Sequence, residues 1–219
     1  MLAGFTLANG FIAIVALLLL LNREQSPPHI QGVFLADPRP LPGFELIDHK
    51  GHAFTNSELM GDWTLVSYGF TTCPDICPTT LAHLNDFTQQ LKKNNETVPT
   101  IVFYSVDHRR DTVTQMASYV SFFNQDFIGL THEDNPDNPH LPFEAGLGIM
   151  AKLTPLLDDE GVPQDDYSVS HGVHLILINP AGELQAIFEP EEVSPGIHAF
   201  DPELLVRDYL AIMDYHGLH

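Results

Sequence analysis

Basic residues are scarce in this chain, which has 9 Lys and Arg residues against 29 Asp and Glu residues and a formal net charge of -20. An acidic surface of this kind repels phosphate backbones and anionic headgroups, so the charge balance argues against nucleic acid as a partner. The same surface favours a basic partner or a cationic metal donor. The length of 219 residues suits one ordinary domain with an appendage.

Cysteine is also scarce, because Cys73 and Cys77 are the only two in the sequence. Two cysteines cannot build the multi-bridge framework of a small secreted domain. Three residues, Pro74, Asp75 and Ile76, separate them, so the C-x-x-C spacing of a thioredoxin-type redox pair is absent. The cysteines must therefore act as one pair, which leaves a disulfide, two metal ligands or two small buried side chains as alternatives.

Long hydrophobic runs are absent except at the start of the chain, where residues 2–21 carry no charge. A helix of about 20 such residues crosses the hydrocarbon core of a bilayer. No Lys or Arg precedes the run and no small-x-small pattern follows it, which favours a transmembrane anchor over residues 1–22 rather than a cleaved signal peptide. Residues 23–43 are rich in proline and predict an extended linker that holds the domain off the membrane.

The remaining residues, 44–219, alternate between strand and helix patterns. Strand patterns cover residues 64–70, 100–107 and 126–132, and hairpin patterns cover residues 44–54 and 173–190. Helical patterns cover residues 79–93, 111–124, 143–153 and 201–215. The last helix begins with Asp201 as N-cap and Pro202 at its first position. This order predicts an α/β, thioredoxin-like domain with a central mixed sheet flanked by helices.

The two cysteines lie at a predicted strand-to-helix junction. Cys77 is the predicted N-cap and Pro78 the first helical residue. At that position the helix dipole and the free N–H groups favour the thiolate, which is the form that attacks disulfides and binds metals. Two thiolates and one imidazole suit a three-coordinate site for Cu(I), whereas structural zinc usually has four Cys or His ligands.

Twelve histidines are available as a third ligand. His171 directly precedes the second predicted hairpin, at a place that faces the cysteine loop in a thioredoxin-like fold. His174 lies three residues further on, and an odd spacing along a strand predicts that it points to the opposite face as a buried, hydrogen-bonded residue. His83 lies on a predicted helix. Solvated positions in loops or termini are predicted for His52, His108, His132, His140, His198, His216 and His219.

Three segments resemble the Sco/SenC family: YGFTTCPDICPTTL (68–81), YSVDHRRDT (104–112) and DYSVSHGVHLILINPAG (166–182). The members of this family are membrane-anchored, thioredoxin-like copper proteins that help to assemble the binuclear copper centre of cytochrome c oxidase. The resemblance covers essentially the whole predicted soluble domain, and the single span before it also matches. By position, it implies that Cys73, Cys77 and His171 are the copper ligands.

The resemblance implies a copper metallochaperone, not an enzyme in the usual sense, that delivers a copper ion to the copper-bearing subunit of cytochrome c oxidase. It implies a single-pass protein of the cell inner membrane with its domain on the periplasmic side, where another copper chaperone or a thiol reductant is a further expected partner. The alternative is a thiol-disulfide oxidoreductase that reduces the cysteines of an oxidase subunit through Cys73 and Cys77. A thioredoxin has a cis-proline where this chain has Ser170-His171-Gly172, which favours metal. A peroxiredoxin-like peroxidase would leave His171 unexplained.

Three positions depart from the family pattern. Ser170 stands where the family usually has Asp, Gly172 where it has Ser or Thr, and His108 where it has Pro. Groups around a ligating imidazole orient the ring and tune metal affinity. We therefore expect the departures at Ser170 and Gly172 to affect the strength of copper binding more than the identity of the ligands.

Overall fold

The computed structural model describes residues 26–158, 162–194 and 197–218. Its strands are β1 (Gly32–Pro40), β2 (Glu45–Asp48), β3 (Ala53–Thr55), β4 (Thr64–Gly69), β5 (Thr100–Ser105), β6 (Ile128–Thr131), β7 (Ala151–Leu157), β8 (Pro163–His171), β9 (Leu175–Ile178), β10 (Glu183–Phe188), β11 (Glu191–Ser194) and β12 (Ile197–Ala199). Its α-helices are α1 (Ile76–Lys93), α2 (Val113–Phe123), α3 (Leu141–Leu147) and α4 (Pro202–Tyr215), and a short 3-10 helix spans Asn56–Leu59.

The central sheet has eight strands in the order β1-β10-β9-β4-β5-β6-β2-β3. Strands β4, β5 and β6 are parallel to one another, and α1 and α2 connect them. The other pairs in the sheet are antiparallel, including the β9–β10 hairpin beside β4. The sheet is therefore mixed, and the predicted α/β, thioredoxin-like arrangement is confirmed.

The two faces of the central sheet carry separate hydrophobic cores, because successive side chains of a strand point to opposite sides. On β5, Phe103 belongs to the core that packs against α1, α2 and α4, while its neighbour Tyr104 belongs to the core on the other face, with α3. Both cysteines belong to the first core. The cysteine pair therefore lies on the α1 face of the sheet, at the end of a central parallel strand.

The N-terminal boundary of the domain lies earlier than the sequence predicts. Residues 32–40, assigned above to the 23–43 linker, form β1 and pair with β10 at the edge of the sheet. Proline is tolerated at this edge because its missing N–H is not needed by a further strand, and the pairing is irregular between Phe34 and Arg39. The prolines in this segment predict a linker although the segment forms a strand, and the domain includes residues well before Phe44.

The predicted helix over 143–153 is wrong in its second half. Helix α3 ends at Leu147 because Gly148 adopts a left-handed conformation, with φ 71°. Residues 151–157 then form β7, which pairs with β8 in a two-stranded hairpin apart from the central sheet. This hairpin matters for the site, because its last residue is His171.

The predicted N-terminal anchor, residues 1–22, lies outside the described residues. Among residues 26–158, 162–194 and 197–218, none of the helices has the length and apolar character needed to span a membrane. At the other end of the chain, the Asp201 side chain accepts hydrogen bonds from the backbone N–H groups of Glu203 and Leu204. The predicted N-cap of the last helix is confirmed.

Candidate metal centre

The cysteine loop connects the end of β4 to the start of α1. The helix begins earlier than predicted, at Ile76, and its N-cap is Asp75 instead of Cys77. The backbone N–H of Thr79 donates to the Asp75 carbonyl and closes the first turn. Pro78 is then the third helical residue, where an N–H would have no partner within the helix. Cys77 therefore lies inside the first turn, with Cys73 in the loop before it.

The two thiols are free, buried and in contact with each other. The hydrogen bond from Cys77 lowers the pKa of Cys73 well below its ordinary value, and the backbone N–H groups of Asp75 and Cys77 act in the same direction. The same hydrogen bond, together with burial, raises the pKa of Cys77. Of the two thiols, Cys73 therefore ionises more readily, and the Cys77 thiol is the hydrogen-bond donor to it.

His171 brings an imidazole to the cysteine pair from the end of β8. Its Nε2 lies 3.8 Å from the Sγ atom of Cys77. Its Nδ1 lies 2.7 Å from the carbonyl oxygen of Gly172, and since a carbonyl can only accept, Nδ1 carries a proton. In the neutral ring the lone pair is then on Nε2, the atom that faces Cys77.

Two aromatic rings flank the imidazole of His171. The ring of Tyr68 meets it edge-on at a centroid distance of 5.8 Å, and the ring of Phe70 meets it edge-on at 5.7 Å. Both residues belong to β4 or to the loop directly after it. The strand that leads into the cysteine loop therefore also restricts the plane of the imidazole.

The separation between Cys77 and His171 suits a bridging metal. Bonds of about 2.3 Å to sulfur and about 2.0 Å to nitrogen, the lengths found at zinc, place the two atoms about 3.7 Å apart when they meet near 120°. The observed distance is 3.8 Å. No three His, Cys, Asp or Glu side chains in the described parts of the chain are already placed as a complete metal-binding group. The role of Cys73, Cys77 and His171 as ligands stays a prediction.

A buried carboxylate holds the cysteine loop. Asp111 is fully buried and accepts hydrogen bonds from the backbone N–H of Thr71 at 2.9 Å and from the hydroxyls of Thr71 and Ser105. Burial raises the pKa of Asp111, and these three hydrogen bonds oppose the rise. The Asp111 side chain therefore links the end of β5 to the residues just before Cys73.

A second buried carboxylate holds the hairpin that carries His171. Asp107, also fully buried, accepts hydrogen bonds from the hydroxyl of Tyr167 and from Nε of Arg110. The guanidinium of Arg110 lies 4.2 Å from the centroid of the Tyr167 ring. The short loop after β5 thus supports both halves of the site. The sequence pattern predicts no role for Asp107 or Asp111, although both follow a buried strand in a polar loop.

The position predicted for His174 is partly wrong. Its Nδ1 lies 3.1 Å from the Tyr68 hydroxyl, so it is hydrogen-bonded as predicted. However, residues 172–174 are not part of a strand, so the alternation that separates its face from that of His171 does not apply. His174 is half-buried and lines the same small cavity as Cys77 and His171.

Three histidines predicted to be solvated loop residues are instead packed together. His132 is buried, and its ring stacks on that of His140 at 3.6 Å with an interplanar angle of 11°. The ring of His108 lies 4.0 Å from that of His132 on a tilted plane. Nothing in the local sequence shows this cluster, because its members come from the loop after β5, the end of β6 and the residue before α3.

The fold and the site define a class: a thioredoxin-like domain with two thiols and an imidazole at the end of its central strand. The SCO1/SenC family model matches residues 36–200. The chain therefore belongs to the SCO1/SenC family.

Relatives of known sequence agree with this assignment. The chain is 34% identical over 173 residues to a protein of Stutzerimonas stutzeri described as copper-binding, a match that covers 79% of this chain and 80% of the relative. It is 36% identical over 143 residues to the mitochondrial SCO2 homolog of Danio rerio, which covers 64% of this chain. The match spans 47%, about half, of that mitochondrial protein.

Solved structures of the family have the same fold. Arabidopsis thaliana ScoI with copper bound is 28% identical, with a TM-score of 0.61, over 82% of this chain and 99% of that one. Yeast Sco1 with copper bound is 25% identical, with a TM-score of 0.64, over 81% of this chain and 90% of that one.

Proposed function

We propose that this protein is a copper metallochaperone that binds a copper ion and delivers it to cytochrome c oxidase during assembly of the enzyme. The observation that carries the proposal is the 3.8 Å separation between Cys77 Sγ and His171 Nε2, beside a Cys73 thiol that contacts Cys77. The copper-bound structures of similar proteins support the choice of metal. Copper is the cargo in this function, since the protein gives it up.

The chemistry of the three side chains fits Cu(I). Thiolates are soft donors that favour Cu(I), and one imidazole completes a three-coordinate site. A site with three ligands leaves the metal open to attack by the ligands of a partner, so the ion can pass by exchange. Each ligand must lose its proton to bind, so copper affinity falls on acidification.

We further propose that the copper-bearing subunit of the oxidase receives the ion. The protein is then a single-pass protein of the cell inner membrane, held by residues 1–22, with the described domain in the periplasm. The uncharged run at residues 2–21 supports the anchor, and the family resemblance supports the side of the membrane. Protease accessibility of the domain in spheroplasts, before and after lysis, tests this orientation.

A second candidate function uses the same cysteines without metal. The contact between the thiols of Cys73 and Cys77, together with the lowered pKa of Cys73, also suits thiol-disulfide exchange. Formation of the Cys73–Cys77 disulfide from two thiols would release two electrons and two protons, which a disulfide of the oxidase subunit would accept as it becomes two thiols. We place this reaction second because it gives no role to His171.

Copper titration of the reduced full-length chain in detergent tests the first proposal. We expect one copper ion per chain, and we expect Cys73→Ser, Cys77→Ser and His171→Ala each to weaken binding by more than about 100-fold, beyond the loss caused by removing a group around a ligand. His52→Ala is the matched control, because His52 is an exposed histidine on the β2–β3 turn. A wild-type protein that binds no copper and rapidly reduces a partner disulfide would favour the second function.

A further inference from the structure

Two residues that lie beside the predicted ligands, Tyr68 and His174, are joined by a hydrogen bond. The Tyr68 hydroxyl, at the end of β4, lies 3.1 Å from Nδ1 of His174. Tyr68 is buried and His174 is half-buried. Both residues line the small cavity onto which Cys77 and His171 also open. Neither belongs to the ligand set of the proposed function, and the sequence prediction placed His174 outside the site.

The hydrogen bond between Tyr68 and His174 lies against the backbone of Gly172, the residue that follows His171. Residues 172–174 form no strand, so no ladder hydrogen bonds from neighbouring strands hold them. A Cβ atom at Gly172 would lie 2.9 Å from the Tyr68 hydroxyl oxygen and 3.3 Å from Nδ1 of His174. The bonded pair therefore packs directly on Gly172, and the absence of a side chain at position 172 is what lets it approach.

Gly172 in turn sets the orientation of the His171 ring. Its carbonyl oxygen accepts the Nδ1 proton of His171 at 2.7 Å. That hydrogen bond fixes the tautomer and leaves the Nε2 lone pair toward Cys77. The Tyr68 ring also meets the imidazole of His171 edge-on. A shift of Tyr68 or of residues 172–174 would therefore move both groups that orient the imidazole.

We propose that His174 is a positioning residue of the metal centre, which acts through its hydrogen bond to Tyr68 to hold the Gly172 carbonyl and the Tyr68 ring against His171. This inference rests on the proposed function, in which His171 is a copper ligand. His174 touches neither the metal nor a transferred group in this role. It determines how much of the time the imidazole presents Nε2 to the cysteine pair.

Two measurements on the reduced full-length chain test the proposal. The first is copper affinity, by competition with a chromophoric Cu(I) chelator. The second is the imidazole ¹⁵N spectrum of the copper-free protein, which reports the tautomer of His171. We expect His174→Ala and Tyr68→Phe each to weaken copper binding by about 10-fold, the lower end of the effect of groups around a ligand. The double variant should bind no more weakly than either single variant, because both remove the same hydrogen bond.

A conservative variant and a matched control separate positioning from general destabilisation. His174→Asn keeps a polar atom where Nδ1 lies, so we expect it to restore most of the affinity and the Nδ1-protonated signal of His171 that His174→Ala reduces. His52→Ala should change neither measurement. Rescue by Asn would not occur if His174 acted only by filling space.

Three results would overturn the proposal. The first is an unchanged affinity and an unchanged tautomer in His174→Ala and Tyr68→Phe. The second is a loss in His174→Ala as complete as that in His171→Ala, which would make His174 a ligand. The third is a double variant whose loss is the sum of the two single losses. A wild-type chain that binds no copper would instead refute the proposed function, and the tautomer measurement would still decide whether His174 positions His171.

Discussion

The buried histidine His132 is predicted to make the stability of the fold depend on pH. His132 follows β6 and is 7% exposed. Its ring stacks on His140 at 3.6 Å, and its Nδ1 lies 3.4 Å from the Tyr104 hydroxyl, which donates its own proton to Glu144. Replacing His132 with phenylalanine keeps a flat ring in the stack and removes the titrating group.

The size of the pH effect follows from the difference between the pKa of His132 in the unfolded chain and its pKa in the folded chain. Burial first, and then the nearby His108 and His140, lower its pKa from 6.5 to about 3, while Asp134 opposes the change. Below about pH 6.5 the His132 imidazole binds a proton in the unfolded chain, whereas in the folded chain it stays neutral until the pH approaches about 3. The contribution of His132 to the free energy of unfolding is therefore fully present above about pH 6.5 and is lost as the pH falls toward about 3. Between about pH 7 and about pH 5 the loss is about 2 kcal/mol.

Urea denaturation of the reduced, copper-free protein at the two pH values measures this loss. Other titrating groups contribute to both proteins and largely cancel in the comparison. We expect the free energy of unfolding of the wild type to fall by about 2 kcal/mol more than that of His132→Phe. Equal losses in the two proteins would refute the assignment of His132 as a buried neutral imidazole.

Three further predictions concern the supports of the metal centre. Asp111→Ala leaves three donors of Thr71 and Ser105 without their acceptor. We expect the free energy of unfolding in urea to fall by about 3 kcal/mol and copper binding to weaken. An unchanged copper affinity would contradict the role of Asp111 in holding the cysteine loop. Gly69→Ala places a Cβ atom 2.5 Å from Cys77 Sγ. We expect this variant to lower the free energy of unfolding by about 1–3 kcal/mol and to lower copper affinity. The control Gly43→Ala, whose Cβ atom meets no atom within 4 Å, should change neither quantity. Tyr167→Phe removes the bond to Asp107 and should speed copper release to a chelator by about 10-fold; an unchanged rate would show that the hairpin needs no such support.

The order of the central strands β4 to β6, their connecting helices and the β9–β10 hairpin followed from the sequence because it depends on local patterns. The continuous apolar run of β5 is visible to inspection because both faces of this strand are buried. The helical spacing in α1 is visible because one face of the helix is buried. The cysteine pair was identified from its place at a strand-to-helix junction. His171 was identified from its place before the second predicted hairpin and from the resemblance to the Sco/SenC family. The edge strand β1 was missed, since its prolines resemble a linker until β10 is placed beside it.

What the sequence determined by itself was therefore the α/β class and the order of the central strands and helices, and it predicted the three ligands. Tertiary structure decided what surrounds those ligands. Asp111 lies 40 residues from Thr71, and Tyr68 lies 106 residues from His174. No periodic pattern in the sequence links such pairs. A hydrogen bond between residues that are far apart in the chain depends on which strands lie side by side in the sheet. His174, assigned by strand alternation to the opposite face, lies in the same cavity as His171 because residues 172–174 form no strand.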